Sequence, residues 1–229
     1  MPVISFVSSK GGVGKTTGAA VLAGELAESG RSVVMVDADP NRPLVAWSKI
    51  QPLPSGLSVV ADDSAETIID TIEVARKSAE WVIVDLEGTA TDRIGFAITR
   101  SDLVLIPVQG SILDANEAAK SIRLIRQMGK VAGREIAFRV YFSRVAPAIR
   151  EKTARDVEDQ IAGAGILTLP VALIDRAPFR SIFSLGGSIH AMKRTDVSGL
   201  ENAKANALEF TRAAVETVHD TKGKKRVAA

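Results

Sequence analysis

Short runs of apolar, often β-branched residues alternate along the chain with longer segments in which apolar residues recur every three or four positions. The short runs are typical of strands covered on both faces, and the longer segments are typical of amphipathic helices. The pattern predicts strands at Val3–Ser8, Ser32–Val36, Leu57–Val60, Trp81–Val84, Leu103–Val108, Ile136–Phe142 and Ile166–Leu173. It predicts helices at Thr16–Ser29, Ser64–Ser78, Leu113–Lys130, Ile149–Ala162 and Val197–Val218.

Strands separated by helices of this length predict right-handed βαβ connections and a mostly parallel, twisted sheet with helices on both faces. No linker rich in serine, glycine or proline divides the 229 residues, so we expect a single α/β domain over residues 1–220. The remaining segment, residues 221–229, carries Lys222, Lys224, Lys225 and Arg226 and is predicted to be a solvated basic tail.

Composition excludes several kinds of site. The chain has no cysteine, so disulfides, thiolate zinc sites, iron–sulfur clusters and cysteine nucleophiles are excluded. Its 29 basic and 27 acidic residues give a net charge of +2, which excludes a polycation but leaves room for local basic patches. No apolar run approaches the ~18 residues of a membrane span, and the first residues lack the features of a signal peptide. We therefore expect a cytoplasmic protein.

One glycine-rich segment, Ser8–Thr17, follows the first predicted strand and opens the first predicted helix. Glycines let the backbone curl with its N–H groups directed inward, and a helix N-terminus adds partial positive charge, as in phosphate-binding loops. In such a loop Lys15 reaches the β- and γ-phosphates and the Thr16 hydroxyl ligates Mg²⁺. The residues expected to contact a nucleotide here are Lys10, Gly11, Gly12, Val13, Gly14, Lys15, Thr16 and Thr17.

The loop departs from the usual Gly-x-x-x-x-Gly-Lys-Thr pattern, because Ser9 replaces the first glycine and a second lysine, Lys10, stands five positions before Lys15. This resembles the deviant Walker A motif of the ParA/MinD-type P-loop ATPases. From Met1 to about Val218 the chain looks most like the short ParA-type partition ATPases. The resemblance implies that Lys10 contacts the nucleotide of a partner subunit in an ATP-dependent homodimer. A phosphate contact within its own subunit is the alternative.

Two further predicted strands end in acidic residues, Asp37 and Asp39 after one and Asp85 after the other. The carboxyl ends of parallel strands form the usual ligand-binding edge of such a sheet. The resemblance implies that Asp39 positions or activates the attacking water and that Asp37 and Asp85 lie near the Mg²⁺ ion held by Thr16. Family members commonly continue with a Thr-Pro-Pro-like turn, whereas this chain has Leu86-Glu87-Gly88. We expect Glu87 to be solvated, with a contact to the outer shell of the metal as the alternative.

The resemblance also suggests adenine contacts. Arg144 follows a predicted strand at the place where relatives often contact the base, and Asp175 and Arg176 belong to a loop like the one that closes over it.

Four basic residues, Lys120, Arg123, Arg126 and Lys130, are spaced so that they share one face of a predicted helix. If the sequence-independent DNA binding of the family holds here, these residues contact DNA phosphates. A solvated helix face is the alternative.

The resemblance implies an ATPase that uses ATP and Mg²⁺, dimerises on ATP, binds double-stranded DNA of the nucleoid and drives plasmid or chromosome partition. A ParB-type DNA-binding partner would stimulate its weak hydrolysis. A VirC-type accessory protein of DNA transfer and a positioner of protein cargo share the same chemistry. A ligase like dethiobiotin synthetase and an inert ATP-gated scaffold are alternatives of other classes. No membrane contact is expected, because the basic tail has no large apolar face.

Overall fold

The computed structural model describes residues 1–88, 92–109, 111–145 and 152–227, over which strands and helices alternate. The strands are β1 Val3–Phe6, β2 Val33–Ala38, β3 Leu57–Ala61, β4 Trp81–Leu86, β5 Leu103–Val108, β6 Ala137–Val145 and β7 Leu173–Ile174. The helices are α1 Lys15–Glu28, α2 Pro43–Ser48, α3 Ile68–Ser78, α4 Asp92–Arg100, α5 Ile112–Val131, α6 Lys152–Gly163, α7 Ala177–Leu185 and α8 Leu200–Val227.

The strands form one parallel sheet in the order β3-β2-β4-β1-β5-β6-β7. Helices α1, α2, α7 and α8 pack on one face, and α3 to α6 pack on the other. Strands β2, β4 and β5 are consequently buried along their whole length, which explains their continuous apolar sequences. The predicted class, an α/β P-loop domain with a parallel sheet covered on both faces, is confirmed. The loops after β1, β2 and β4 lie together at the carboxyl edge of the sheet.

Most of the predicted elements are confirmed with small shifts at their ends, but the strand predicted at Ile166–Leu173 is wrong. Only Leu173–Ile174 forms a strand beside β6, and Thr168 makes an isolated bridge to Val140. Pro170 lies inside the apolar run that suggested the strand, and a proline has no N–H to donate to a neighbouring strand. The chain therefore reaches the sheet edge as a mostly irregular segment.

Three helices, α2, α4 and α7, are absent from the sequence prediction. They contain six, nine and nine residues, too few to show helical periodicity over a window of about 11–18 residues. The last helix starts at Leu200 and continues through Val227, so most of the predicted tail extends α8. The side chains of the basic residues in that tail, and the predicted helix start at Ile149, lie outside the described residues. Among the described helices, none has the length and apolar character needed to cross a membrane.

Helix α1 approaches the sheet most closely at Gly18. A Cβ atom there would lie 2.8 Å from Cε1 of Phe6 and closer still to the hydroxyl of Tyr141. Both rings are fully buried and meet edge to face, with their centroids 6.0 Å apart. The Tyr141 hydroxyl also donates a hydrogen bond to the carbonyl of Gly14, at 3.1 Å. A glycine at position 18 therefore lets α1 sit close enough for β6 to hold the start of the helix.

Replacing Gly18 by alanine should destabilise the protein. The added methyl group must displace Phe6 and Tyr141, and such overpacking typically costs about 1–3 kcal/mol, more than the ~1 kcal/mol gained from helix propensity. Gly24→Ala is the matched control on the same helix, because its Cβ would meet only Ser188, at an ordinary 3.4 Å. Urea unfolding of the nucleotide-free protein measures both changes. A Gly18→Ala variant as stable as the wild type would contradict this description of the packing.

Candidate functional site

The loop between β1 and α1 owes its shape to two glycines. Gly12 and Gly14 have φ angles of +70° and +100°, in the left-handed region that residues with a Cβ rarely adopt. Gly14 is the N-cap of α1, and no side chain caps that helix. The first N–H groups of a helix have no intrahelical partner, so here they are open to a ligand. Loop and helix start together form a concavity suited to a phosphate group.

Side chains from outside the loop hold its carbonyl groups. From β6, the Ser143 hydroxyl donates to the carbonyl of Val13 at 2.6 Å, and the Tyr141 hydroxyl donates to the carbonyl of the next residue. From the end of β5, Nε2 of Gln109 donates to the carbonyl of Gly12 at 3.2 Å. Carbonyl groups fixed in this way leave the N–H side of the loop for an anion. None of these three contacts with the loop was predicted, because each side chain lies about a hundred residues from the loop.

Lys15 is buried within the loop, where its ammonium group donates to the carbonyl of Lys10 at 3.3 Å. Burial lowers the pKa of this ammonium group, while the charges of Asp85, Asp39 and Glu87 act to raise it. The lysine is thus a compact positive charge at the place where the loop would hold phosphate oxygens.

Asp85 stands at the end of β4, in register with Asp37 on β2. Both carboxylate oxygens of Asp85 are buried, and neither has a hydrogen-bond partner of normal geometry. Burial raises the pKa of Asp85 to about 7, although Thr16 and Lys15 lie near enough to favour the charged form. An unpartnered buried carboxylate beside a threonine hydroxyl fits Mg²⁺, which takes few protein ligands besides phosphate and water. The described residues contain no group of three acidic, histidine or cysteine side chains that could hold a metal ion.

Asp37 and Asp39 follow each other after β2 but make different contacts. Asp37 is fully buried and accepts a hydrogen bond from the N–H of Val45 in α2, at 2.9 Å. Burial raises the pKa of Asp37, against the opposing effect of its backbone hydrogen bonds. Asp39 is partly exposed and accepts bonds from the backbone and side-chain amides of Asn41, at 2.8 and 2.9 Å. Asp37 therefore supports the loop, and Asp39 is the carboxylate of the two whose charge acts on Lys15.

Lys10 and Ser9 are both bonded to α5 in this single chain. Nζ of Lys10 lies 2.6 Å from Oδ1 of Asp114, and the Ser9 hydroxyl donates to the carboxylate of Glu117. Asp114 is buried and forms a capping box with Ser111 at the start of α5. Burial acts to raise the pKa of Asp114, but hydrogen bonds from Lys10 and Ser111 outweigh it and lower the pKa overall. The Lys10 side chain is 38% exposed, so another anion can reach it.

A cavity of about 360 Å³ opens beside the phosphate loop. Two of the residues predicted to contact adenine, Arg144 and Asp175, line this cavity. The third, Arg176, is the N-cap of α7 and does not line the cavity. The rings of Phe179 and Phe183 in α7 offer an apolar surface for a base. Neither residue was predicted to belong to the site, because helix α7 itself was not predicted. The lining residues are Gly14, Thr17, Ser143, Arg144, Leu173, Ile174, Asp175, Phe179, Arg180 and Phe183.

The expectation that Glu87 is solvated is wrong. Its side chain is only 15% exposed, and its Oε1 atom lies 2.5 Å from a guanidinium nitrogen of Arg93. Arg93 belongs to α4, which the sequence pattern did not predict, so nothing in the sequence pointed to this ion pair.

The four basic residues proposed as DNA contacts lie along α5, and all four are exposed. Lys120 is bonded to Glu117 at 2.7 Å, and the other members of the stripe are Arg123, Arg126 and Lys130. We call these four residues the basic stripe. It begins one turn after Glu117, so the stripe and the residues that bond to the phosphate loop belong to the same helix.

Comparison with known proteins places the chain among relatives that resemble it over most of its length. The family model described as VirC1 protein matches residues 1–222. Protein ParA of Rhizobium radiobacter is 36% identical over 221 residues, which cover 95% of this chain and 100% of ParA. Cyanothece McdA, solved as a variant in complex with ATP, shares the fold with a TM-score of 0.74 and 16% identity, covering 93% of this chain and 96% of McdA. MinD of Pyrococcus horikoshii, solved with Mg-ADP, gives a TM-score of 0.66 at 16% identity, with 92% and 94% covered.

Replacing Lys15 by alanine should weaken ATP binding tenfold to a hundredfold. The substitution removes a charge-assisted phosphate contact, worth roughly 1.5–3 kcal/mol. Titration calorimetry with ATP and Mg²⁺ measures the loss, and Lys193→Ala, which removes an exposed lysine between α7 and α8, is the control. Equal ATP affinity in the wild type and the Lys15→Ala variant would contradict the assignment of the loop.

Proposed function

Since this chain belongs to the VirC1 family within the ParA/MinD-type P-loop ATPases, we propose that it is a Mg²⁺-dependent ATPase that dimerises on ATP, binds DNA without sequence preference and drives partition of a plasmid or chromosome. One observation carries the proposal: the phosphate loop contains buried Lys15, faces the unpartnered carboxylate of Asp85 and presents a second lysine, Lys10, to solvent. The whole-length likeness to ParA supports partition as the process served.

Nucleotide binding would begin with the phosphates. The N–H groups at the start of α1 bind the phosphate oxygens, and Lys15 adds a full positive charge at the β- and γ-phosphates. The cavity beside Phe179 and Phe183 then receives the base. Thr16 and Asp85 would hold Mg²⁺, which supplies further charge neutralisation when bound. The ATP and Mg-ADP bound to McdA and MinD support the choice of nucleotide and metal.

Hydrolysis requires a water molecule in line with the γ-phosphate. Asp39 is partly exposed and lies near Lys15, so its carboxylate can accept a hydrogen bond from that water and orient it. As the water oxygen bonds to phosphorus, the bond to the bridging oxygen breaks and ADP leaves with the electron pair. Lys15 stabilises the charge that develops on the phosphate oxygens. The loop that carries Asp39 is held by Asp37 through its bond to Val45.

Lys10 links this chemistry to dimerisation. In the single chain it pairs with Asp114, but it keeps enough exposure to reach an anion on another molecule. A nucleotide phosphate held by a second subunit carries more negative charge than one carboxylate and competes for the lysine. Dimerisation would therefore depend on nucleotide occupancy, and hydrolysis would release the subunits.

DNA binding would use the basic stripe on α5. Its positive charges can neutralise DNA phosphates, which gives affinity without base recognition. A dimer presents two stripes at a high effective concentration, so ATP-dependent pairing strengthens binding. A ParB-type partner bound to the cargo would supply specificity and stimulate hydrolysis, and the protein would be cytoplasmic and associated with the nucleoid.

A VirC-type accessory role in DNA transfer is the second candidate, favoured by the VirC1 family model over residues 1–222. It would use the same ATP chemistry for a different DNA and partner. Deleting the gene separates the two functions. Loss of plasmid retention with normal DNA transfer supports partition, and normal retention with impaired transfer supports the accessory role.

Asp39→Ala and Lys10→Ala should fail at different stages. Without Asp39 the protein should bind ATP and accumulate as an ATP-bound dimer, because the water is no longer oriented. Without Lys10 it should bind ATP but remain a monomer. Light scattering with ATP and Mg²⁺ distinguishes the two, with the ADP-bound wild type as the monomer reference. Two monomeric variants, or two dimeric ones, would contradict the separate roles.

Reversing charge in the basic stripe should weaken DNA binding but leave dimerisation intact. Monomers should bind with a Kd near the non-specific range of about 10⁻⁴ to 10⁻⁶ M, and ATP dimers should bind more tightly. Arg123→Glu with Arg126→Glu alters four charges per dimer and should reduce the slope of log affinity against log salt by about 3–4 units.

Fluorescence anisotropy on random duplex DNA over a salt series measures this effect. Arg194→Glu with Arg212→Glu is the matched control, because it makes the same charge change at exposed residues beyond the other face of the sheet. Equal DNA binding with ATP and with ADP would contradict the ATP switch. Equal losses in the stripe variant and the control would show that net charge, and not the stripe, governs binding.

A further inference from the structure

Helix α1 carries the phosphate loop at its start and two acidic residues, Glu25 and Glu28, in its last turn. Glu25 is buried, with 5% of its side chain exposed, and its Oε1 atom lies 2.5 Å from Nε2 of His190. Oε1 of Glu28 accepts a hydrogen bond from the hydroxyl of Ser188 at 2.7 Å. The end of α1 therefore holds the segment that follows α7.

The same segment is also bonded to α2 and to the residues that follow it. The carbonyl oxygen of Leu185, the last residue of α7, accepts a hydrogen bond from Nε2 of Gln51 at 2.7 Å. The carbonyl oxygen of Gly187 accepts one from Nε1 of Trp47 at 3.1 Å. The Trp47 ring also meets the ring of Phe183 edge to face, with the centroids 6.3 Å apart. The carboxyl end of α7 is thus fixed against both α1 and α2.

Helix α7 forms one side of the cavity proposed for the base. Phe179 and Phe183 line the cavity from α7, and Gly14 of the phosphate loop lines it from the start of α1. An α-helix has a fixed rise per residue, so Glu25 stands at a fixed distance from the phosphate loop. The bond between Glu25 and His190 therefore helps to set how far the aromatic rings of α7 lie from the loop.

The strength of this bond depends on the charge of His190, whose side chain is 32% exposed. In the part of the chain that the structure describes, the charged groups that act on His190 are Glu25 and Glu28 of α1 and Lys204 of α8. The hydrogen bond to Glu25 raises the pKa of His190, against the effects of burial and of Lys204. The ion pair is therefore complete below this pKa. As the pH rises through it, a neutral hydrogen bond about half as strong remains.

We propose that His190 and Glu25 are positioning residues that hold α7 against α1 and so set the affinity of the site for the nucleotide base. This proposal rests on the nucleotide site proposed above. Neither residue touches the nucleotide, since both act through the rings of α7. The phosphates bind at the other end of α1, so their affinity should not depend on the pair. Base affinity should be higher when His190 is protonated.

Titration calorimetry with ADP and with inorganic pyrophosphate, each with Mg²⁺, separates the base from the phosphates. Over a pH series through the His190 titration, the ratio of ADP affinity to pyrophosphate affinity should fall severalfold. The limit is about tenfold, the difference between a charge-assisted and a neutral hydrogen bond. His190→Gln should keep pyrophosphate binding, bind ADP more weakly and lose this pH dependence. Comparing the two proteins cancels the titration of the ligands themselves. Glu25→Gln should behave alike, and the double variant should be no weaker than either single variant.

The wild type alone allows a second test, because coupling between two sites is reciprocal. If protonation of His190 strengthens base binding, ADP must raise the pKa of His190 by the logarithm of the same factor, and pyrophosphate must not. The chain has two histidines, so NMR titration of the imidazole signals follows both. His219, which packs edge to face on Trp81, is the internal control. His219→Gln assigns the signals and should keep the pH dependence of the wild type in calorimetry.

Equal losses of ADP and pyrophosphate binding in His190→Gln would overturn the proposal, because the pair would then support the whole fold and not the base cavity. The same pH dependence in the wild type and in His190→Gln would overturn it as well. Thermal unfolding shows which variants fold, and if His190→Gln does not, the NMR titration of the wild type decides. A His190 pKa that ADP leaves unchanged overturns the proposal and leaves the nucleotide site standing. No binding of either ligand by the wild type would overturn the nucleotide site, and the role of His190 with it.

Discussion

The close packing of α1 on β1 and β6 is the constraint on which the rest of the site depends. Gly18 brings the helix within reach of β6, where Tyr141 and Ser143 bond to carbonyl groups of the phosphate loop. The position of the loop then sets every other distance in the site. Lys15 lies within it, Gly88 packs against it, and the cavity with the aromatic lining opens beside it. A mobile loop could not keep these groups in register.

Charge is the second organising feature of the carboxyl edge. Four carboxylates and three cations lie at this edge: Asp37, Asp39, Asp85 and Glu87 with Lys10, Lys15 and Arg93. Each charge except that of Asp85 is compensated by a hydrogen bond, an ion pair or solvent. Burial consequently raises the pKa of Asp85 to about 7, and a divalent cation beside it would restore the charged form. The arrangement suits a ligand that brings both phosphates and a metal.

Much of the fold and of the candidate site could be predicted from the sequence. The features that could not be predicted share one cause. The phosphate loop could be predicted because its glycines and lysines form one short, continuous motif. The sheet could be predicted because buried parallel strands are continuous apolar runs. Contacts between distant segments leave no local sequence pattern. The hydrogen bonds of Tyr141 and Gln109 to the loop could therefore not be predicted. The roles of Arg93 and Phe179 could not be predicted because they lie in the short helices α4 and α7. Helical periodicity is recognisable only over more residues than these helices contain.

Hydrogen exchange of the backbone amides, compared among the nucleotide-free, Mg-ADP and Mg-ATP states, tests most directly whether the phosphate loop binds nucleotide and signals through Lys10 to α5. Residues 10–17 should become protected with either nucleotide, because their N–H groups bind phosphate oxygens. Residues 111–120 should change only with ATP, when Lys10 leaves Asp114 for the partner nucleotide. No protection of residues 10–17, or the same change in α5 with ADP, would contradict this mechanism.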